Sequence, residues 1–357
     1  MKVAVLGSGN GGLAVAFEWA QAGHEVRMFN FPEFVTILDV EARGGISADG
    51  ELSGFQKIEY AGHDISQVVP GADLVFVVGP AYSTEAFADA CRPHISPGQV
   101  FVVCPGSCAG AIVFKNGLGV PLEDPSVIVA ETSTLPYAVR ITAEAHITVY
   151  NRLKGGYYLG ALPGTSIASV YALMSVVYPE MVAATSVLQT TLQNANPIIH
   201  PAVTLTNAAL IQRTGGDFLF YEEGVTEAVG RIIEALDNER LAIGRALDVN
   251  VVRDPELGIE QGYQAVNNYN TGYSQAPGFK GIKAQQDLDH RYLNEDAGFG
   301  LVFLTDLAKR LGVPTPNMDA VLQLSSTVMA RDYKGDGART METLGLADLS
   351  IDQLKNL

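Results

Sequence analysis

Basic side chains are scarce in this sequence. Across 357 residues, 23 lysines and arginines stand against 39 aspartates and glutamates, a formal net charge of −16. Nucleic acids and anionic membrane surfaces are bound through a basic footprint, so this balance argues against both as partners. Cysteine is rarer still, with only Cys91, Cys104 and Cys108. Three thiols make no disulfide framework, and free thiols fit a reducing, cytoplasmic compartment. Cys104 and Cys108 follow an apolar stretch, but no histidine cluster accompanies them, so no metal site is expected. No uninterrupted apolar run reaches the roughly 18 residues of a membrane span. No secretory leader opens the chain either, because residues 3–6 read as a strand that Gly7 ends. Charged residues make up 17% of the chain against 47% hydrophobic, which rules out a disordered chain and points to a well-buried globular one. The length suits two domains and exceeds one ordinary core.

The first twelve residues carry the strongest positive signal. A β-branched apolar strand runs into Gly7-Ser8-Gly9-Asn10-Gly11-Gly12, and a helix-favouring stretch follows over 13–22. In this setting Gly7 permits a tight turn, Gly9 lets a pyrophosphate approach the backbone, and Gly12 lets helix and strand pack closely. The helix start then offers unpaired N–H groups and a positive dipole end to phosphates. Gly7, Gly9, Asn10, Gly11 and Gly12 are therefore expected to bind a dinucleotide. Further strands are predicted over 25–29, 73–78, 100–104 and 127–130, with helical stretches between several of them. Strand and helix alternating at this spacing implies a doubly wound, mostly parallel sheet of the Rossmann type. Residues 136–159 read as strand-rich, an antiparallel extension of that sheet.

Near Ala183 the character changes. Helical periodicity dominates from there, over 187–194, 203–211, 224–247, 300–311 and 318–329. The expected organisation is an α/β nucleotide-binding domain over 1–183 followed by an all-α domain over 184–357. A non-helical insert over 261–281 is rich in Asn, Tyr and Gly. Its stretch 263–279 either lines a substrate pocket or forms an ordinary surface excursion. The apolar helical half is compatible with a homodimer.

An acidic residue at the end of the second strand normally binds the ribose hydroxyls of NAD. Here that position is Asn30, and no Arg or Lys lies between Phe31 and Ala42 to hold the 2′-phosphate of NADP. NAD and NADP both stay open. Reduction by a nicotinamide needs a proton donor or acceptor, and histidine titrates in the right range. Among six histidines, His24, His63, His94 and His146 read as surface residues. His200 lies among amides and between prolines, in Asn196-Pro197-Ile198-Ile199-His200-Pro201. It is either the acid/base or a hydrogen-bonded interdomain histidine.

Asn-x-x-x-His-Pro early in a helical half resembles the opine dehydrogenases, the octopine/nopaline dehydrogenase family. So does Arg291-Tyr292-Leu293-Asn294-Glu295-Asp296, with Gly300-Leu301 behind it, and the likeness continues through Gly312-Val313-Pro314-Thr315-Pro316 and Leu344-Gly345-Leu346. It spans nearly the whole chain. The resemblance implies an enzyme that joins an L-amino acid to a 2-oxo acid such as pyruvate and reduces the resulting imine with NAD(P)H. It also implies His200 as acid/base, Asp296 as its orienting carboxylate, and Arg291 as a contact to the cofactor pyrophosphate. Asn196, one helical turn before His200, is either a substrate contact or a structural amide. Asn30 departs from relatives that carry Asp there.

A ketopantoate-reductase-like or hydroxyacid dehydrogenase shares this plan, but such families resemble one another in using a lysine after the nucleotide domain. No lysine occurs between Lys154 and Lys280. A non-catalytic NAD(P)-binding regulator is the third reading.

Overall fold

The computed structural model describes residues 1–357 and divides into two units. The first comprises Met1–Leu153, Tyr157–Thr191 and Leu357, and the second Lys154–Gly156 and Leu192–Asn356.

Twelve strands lie in the first unit: β1 (Lys2–Leu6), β2 (Glu25–Phe29), β3 (Gly45–Gly50), β4 (Gly54–Lys57), β5 (Tyr60–Gly62), β6 (Leu74–Val77), β7 (Val100–Val103), β8 (Ile128–Thr132), β9 (Tyr137–Ala143), β10 (His146–Arg152), β11 (Tyr158–Leu162) and β12 (Val182–Ala183). Eight of them form one sheet in the order β12-β11-β8-β7-β6-β1-β2-β5. From β5 across to β8 all neighbours are parallel, whereas β11 runs antiparallel to β8. β6 and β7 are unbroken apolar runs buried at every residue, as strands covered on both faces must be. The strand order reverses at β1, between β2 and β6, and the crevice beyond the strand ends at such a switch point is where ligands of open α/β sheets bind.

The antiparallel extension expected over 136–159 is only partly of that kind. β11 extends the large sheet, but β9 and β10 join a separate sheet in the order β4-β3-β10-β9. The partners β3 and β4 were not anticipated, because GISADG and GFQK carry glycine and polar residues in place of an apolar run. Helix α1 (Asn10–Gln21) explains the second sheet. It is buried from Gly11 through Trp19 and packs against β1 and β2 as well as all four strands of the small sheet. A helix apolar on most of its surface needs cover on most sides. Helices α2 (Thr36–Arg43), α3 (Thr84–Cys91), α4 (Gly110–Leu118) and α5 (Ile167–Met174) complete this unit, and α6 (Val187–Gln193) carries the division.

The second unit is helical, with α7 (Asn196–Thr206), α8 (Ala208–Thr214), α9 (Glu227–Ala246), α10 (Asp254–Glu260), α11 (Thr271–Ser274), α12 (Arg291–Asn294), α13 (Val302–Leu311) and α14 (Pro316–Met329). The helix expected over 203–211 is two helices. Asn207 separates them, its amide donating to the Val203 carbonyl at 2.9 Å and to the Gly224 carbonyl at 3.0 Å. The insert at 261–281 holds only two short helical turns, α11 and a 3-10 turn at Pro277–Phe279, as its Asn- and Gly-rich composition suggests. No helix is long and apolar enough to cross a membrane.

Candidate active site

The glycine loop joins β1 to α1 at the switch point. Gly7 has φ +111°, and a Cβ there would sit 2.1 Å from the Val78 carbonyl oxygen. A Cβ on Gly12 would sit 2.0 Å from the Gly7 carbonyl oxygen, so helix and turn touch backbone to backbone. At Gly9, the N-cap of α1, an added Cβ meets nothing within 4 Å. That open space beside a helix start fits a diphosphate. Gly11 faces Leu135 and Val78. The Asn10 side chain accepts a hydrogen bond from the Ile141 N–H at 2.7 Å, which ties the loop to β9.

Asn30, at the end of β2, is only 5% exposed and turned inward. Its amide donates to Ser8 Oγ at 2.8 Å, and its Oδ1 accepts from the Phe31 N–H at 2.9 Å. Ser8 Oγ lies 2.8 Å from Thr36 Oγ1 at the start of α2. An amide in this place brings no negative charge to a 2′-phosphate and no carboxylate to a ribose diol. Ser8, fully buried inside the glycine turn, went unremarked in the sequence because the motif reads it as a spacer. The four histidines read as surface residues are half-buried, and His63 Nδ1 lies 2.8 Å from the Asn30 carbonyl oxygen.

In the second unit His200 and Asp296 come together. His200 Nδ1 and Asp296 Oδ2 are 2.8 Å apart, with the residues 6% and 3% exposed. Two local features make this contact. Pro197 falls in the first turn of α7, where a missing N–H costs nothing, whereas Pro201 lies inside the helix. Asp296 opens a π-helical segment, Asp296–Leu301, in which the Gly300 N–H bonds the Glu295 carbonyl at 3.0 Å. A Cβ on Gly300 would meet Pro197 Cγ at 2.6 Å, so the glycine lets this segment close on α7 one turn before His200. Such π-segments are frequent at functional sites.

The other ring nitrogen, Nε2, is 3.0 Å from Tyr221 Oη. Tyr292 stacks on the imidazole at 3.9 Å between centroids and 22° between planes. Burial, with the Tyr292, Asp296 and Asp254 charges next, pushes the Tyr221 phenol well above its usual range. Burial also lowers His290, helped by Arg291 and His200. Arg291 is exposed at the start of α12, and Asn196 is half-buried at the start of α7. Tyr221 and Tyr292 were not singled out in the sequence. Tyr221 lies in a turn without periodicity, whereas Tyr292 sits inside the Arg-aromatic-x-x-Glu-Asp block and was legible there.

The three cysteines are buried free thiols, and burial pushes Cys91 and Cys104 up to about 12, which suppresses thiolate chemistry.

Comparison with known proteins adds the following. Residues 183–329 match the family described as NAD/NADP octopine/nopaline dehydrogenase, alpha-helical domain. Residues 2–106 match the NAD-dependent glycerol-3-phosphate dehydrogenase N-terminus. The opine dehydrogenase of Arthrobacter sp. (strain 1C) is 35% identical over 354 residues, covering 99% of this chain and 97% of that one. The fold is similar to octopine dehydrogenase in complex with NADH and agmatine, with TM-score 0.80 at 19% identity over 100% of this chain and 98% of the other. It is also similar to yersinopine dehydrogenase with NADP+ bound, with TM-score 0.77 at 15% identity over 99% and 98%.

Proposed function

Because this chain belongs to the opine dehydrogenase family, we propose that it joins the amine of an L-amino acid to the carbonyl carbon of a 2-oxo acid such as pyruvate and reduces the product to a secondary amine. The observation that carries the reading is the buried His200–Asp296 pair, 2.8 Å apart, whose other ring nitrogen faces Tyr221 Oη at 3.0 Å.

The chemistry runs through these residues. Asp296 accepts from the Nδ1–H of His200 and so fixes the tautomer that leaves a lone pair on Nε2. That lone pair takes the proton the amine must lose as its nitrogen attacks the oxo carbon. The imidazolium returns that proton to the former carbonyl oxygen, giving a carbinolamine, and a second pass carries the remaining N–H proton to the hydroxyl, which leaves as water as the imine forms. While the ring is charged, the Asp296 carboxylate stabilises it. A bound NADH or NADPH supplies the hydride that reduces the imine. Gly7, Gly9, Gly11 and Gly12 would cradle the nucleotide's phosphates, with Asn10 bracing the loop and Asn30 at the β2 end that would meet the ribose. Arg291 is assigned an anion contact to the nucleotide, and Asn196 a contact to substrate.

The test is oxidation of NADH and of NADPH with pyruvate alone, then with pyruvate plus a panel of L-amino acids. Oxidation that requires the amine is the expected result. Oxidation with pyruvate alone at the same rate identifies a hydroxyacid dehydrogenase instead, and none with any pair identifies a non-catalytic nucleotide binder. In parallel, His200→Asn is expected to lose on the order of 10²–10⁴ in kcat with nucleotide affinity kept.

A further inference from the structure

We infer that Tyr221 is the group through which His200 exchanges its proton with substrate, a relay that rests on the reading of His200 as the acid/base. Both nitrogens of the imidazole are engaged. Nδ1 faces Asp296 at 2.8 Å and Nε2 faces Tyr221 Oη at 3.0 Å. One ring face is covered by Tyr292, and Phe220 packs nearby with its centroid 6.2 Å away. A reacting molecule therefore reaches Nε2 by displacing the Tyr221 hydroxyl or by passing a proton through it.

Displacement is the costlier route. Tyr221 is 5% exposed, and its ring stacks on Phe279 at 4.3 Å and 17°. Phe220 meets it edge-on at 5.0 Å and 90°. Phe279 is itself stacked on Tyr263 at 5.4 Å, and beyond it lies Tyr273, whose hydroxyl bonds Asp254. Swinging Tyr221 aside would break an aromatic stack anchored across the insert at 261–281.

A hydroxyl suits the relay because it donates and accepts at once. With the Nδ1–H given to Asp296, Nε2 is an acceptor and Tyr221 donates to it, leaving oxygen lone pairs free for a substrate N–H. The charged and titratable groups that bear on this phenol are Tyr292, Asp296, Asp254 and Arg291. Burial keeps the phenol neutral, so it passes the proton on without holding it. The balance closes in both directions. As the amine attacks, one N–H proton goes to Oη while the Oη proton goes to Nε2, and the reverse transfer hands a proton to the former carbonyl oxygen, giving the carbinolamine with His200 and Tyr221 unchanged. On dehydration the second N–H proton takes the same route to the carbinolamine hydroxyl, which leaves as water as the C=N bond forms; nitrogen has then lost two protons, oxygen has gained two, and His200 and Tyr221 are again unchanged.

Tyr221→Phe keeps the ring stack and removes only Oη. The expected result is a kcat lower by about 10² in amine-dependent NADH oxidation, with NADH affinity by fluorescence titration unchanged. The proton inventory in mixed H2O and D2O is expected to be curved in the wild type and linear in the variant. Activity close to wild type in Tyr221→Phe, or a linear inventory in both proteins, overturns the relay. Tyr221→Ala separates the hydroxyl from its ring. Added phenol is expected to restore turnover and added benzene is not; equal restoration by both overturns the proposal. His200→Asn is run alongside. If it retains wild-type turnover, the acid/base reading itself fails, whereas an inactive His200→Asn beside a fully active Tyr221→Phe sinks the relay alone.

Discussion

At the residue scale, the second unit holds one imidazole between a carboxylate and a phenol, and each partner makes a different demand. Asp296 sets which nitrogen carries the proton, so Asp296→Asn removes a charge and also offers an N–H to Nδ1, favouring the wrong tautomer. Its kcat is expected to fall by about 10³–10⁴ with little change in melting temperature, read by steady-state kinetics beside a thermal melt. Asn30 makes the corresponding prediction for the cofactor. Asn30→Asp puts a carboxylate in place of an amide at the end of β2, and fluorescence titration is expected to show NADPH affinity falling relative to NADH by about tenfold or more. A ratio of affinities that does not move would detach Asn30 from cofactor choice. His200 and Asp296 were legible in the sequence through residue type and the blocks around them. Ser8 and Tyr221 were not. A small residue inside a glycine turn and an aromatic in an aperiodic turn give no signal until the chain folds around them.

At the element scale, the site depends on how closely the π-helical segment Asp296–Leu301 approaches α7. Gly300 lies where a methyl group would meet Pro197 Cβ at 2.9 Å and Cγ at 2.6 Å. The proline ring has little freedom to move, so Gly300→Ala is expected to cost about 1–3 kcal/mol in urea unfolding. It is also expected to lower kcat well beyond what that destabilisation explains, because Asp296 moves with the segment. Unchanged activity at lowered stability would show that the two helices can part without disturbing the pair. Buried apolar strands such as β6 and β7 and long periodic helices such as α9 and α14 were readable from pattern. β3, β4 and the break at Asn207 were not, since short glycine-rich strands and a side chain that competes for a helix carbonyl leave no periodic trace.

At the scale of the whole molecule, the second unit is built around a buried polar core. Arg240 and Asp237 are fully buried and 2.6 Å apart, and Arg240 also donates to the Leu192 carbonyl and, at 2.8 Å, to the Val252 carbonyl. Asp237 accepts from the Asp254 N–H at 3.0 Å and the Tyr269 hydroxyl at 2.6 Å. Arg240 thus balances Asp237, while burial first and Asp237 second push the Asp254 carboxyl up to about 6. A carboxyl raised on folding favours the protonated form. Its contribution to stability is therefore full below the unfolded value near 4 and is lost as pH rises through about 6. Asp254→Asn is expected to remove this dependence. Measured by urea unfolding, its stability relative to wild type should be higher at pH 7 than at pH 4.5 by on the order of 2 kcal/mol. A constant difference between the two pH values would contradict it. The change of character near Ala183 was visible in composition, and the structural division falls after Thr191, within α6. The buried network was hidden, because Arg240, Asp237 and Asp254 look like ordinary surface charges in the sequence.

The most direct test of the proposed reaction is the mass of its product. Pyruvate, a 15N-labelled L-amino acid and NADH are incubated with the enzyme, and the product is read by mass spectrometry. The account predicts one secondary amine that retains the label, with the summed mass of amino acid and pyruvate less one oxygen. Lactate beside unchanged labelled amino acid would contradict it.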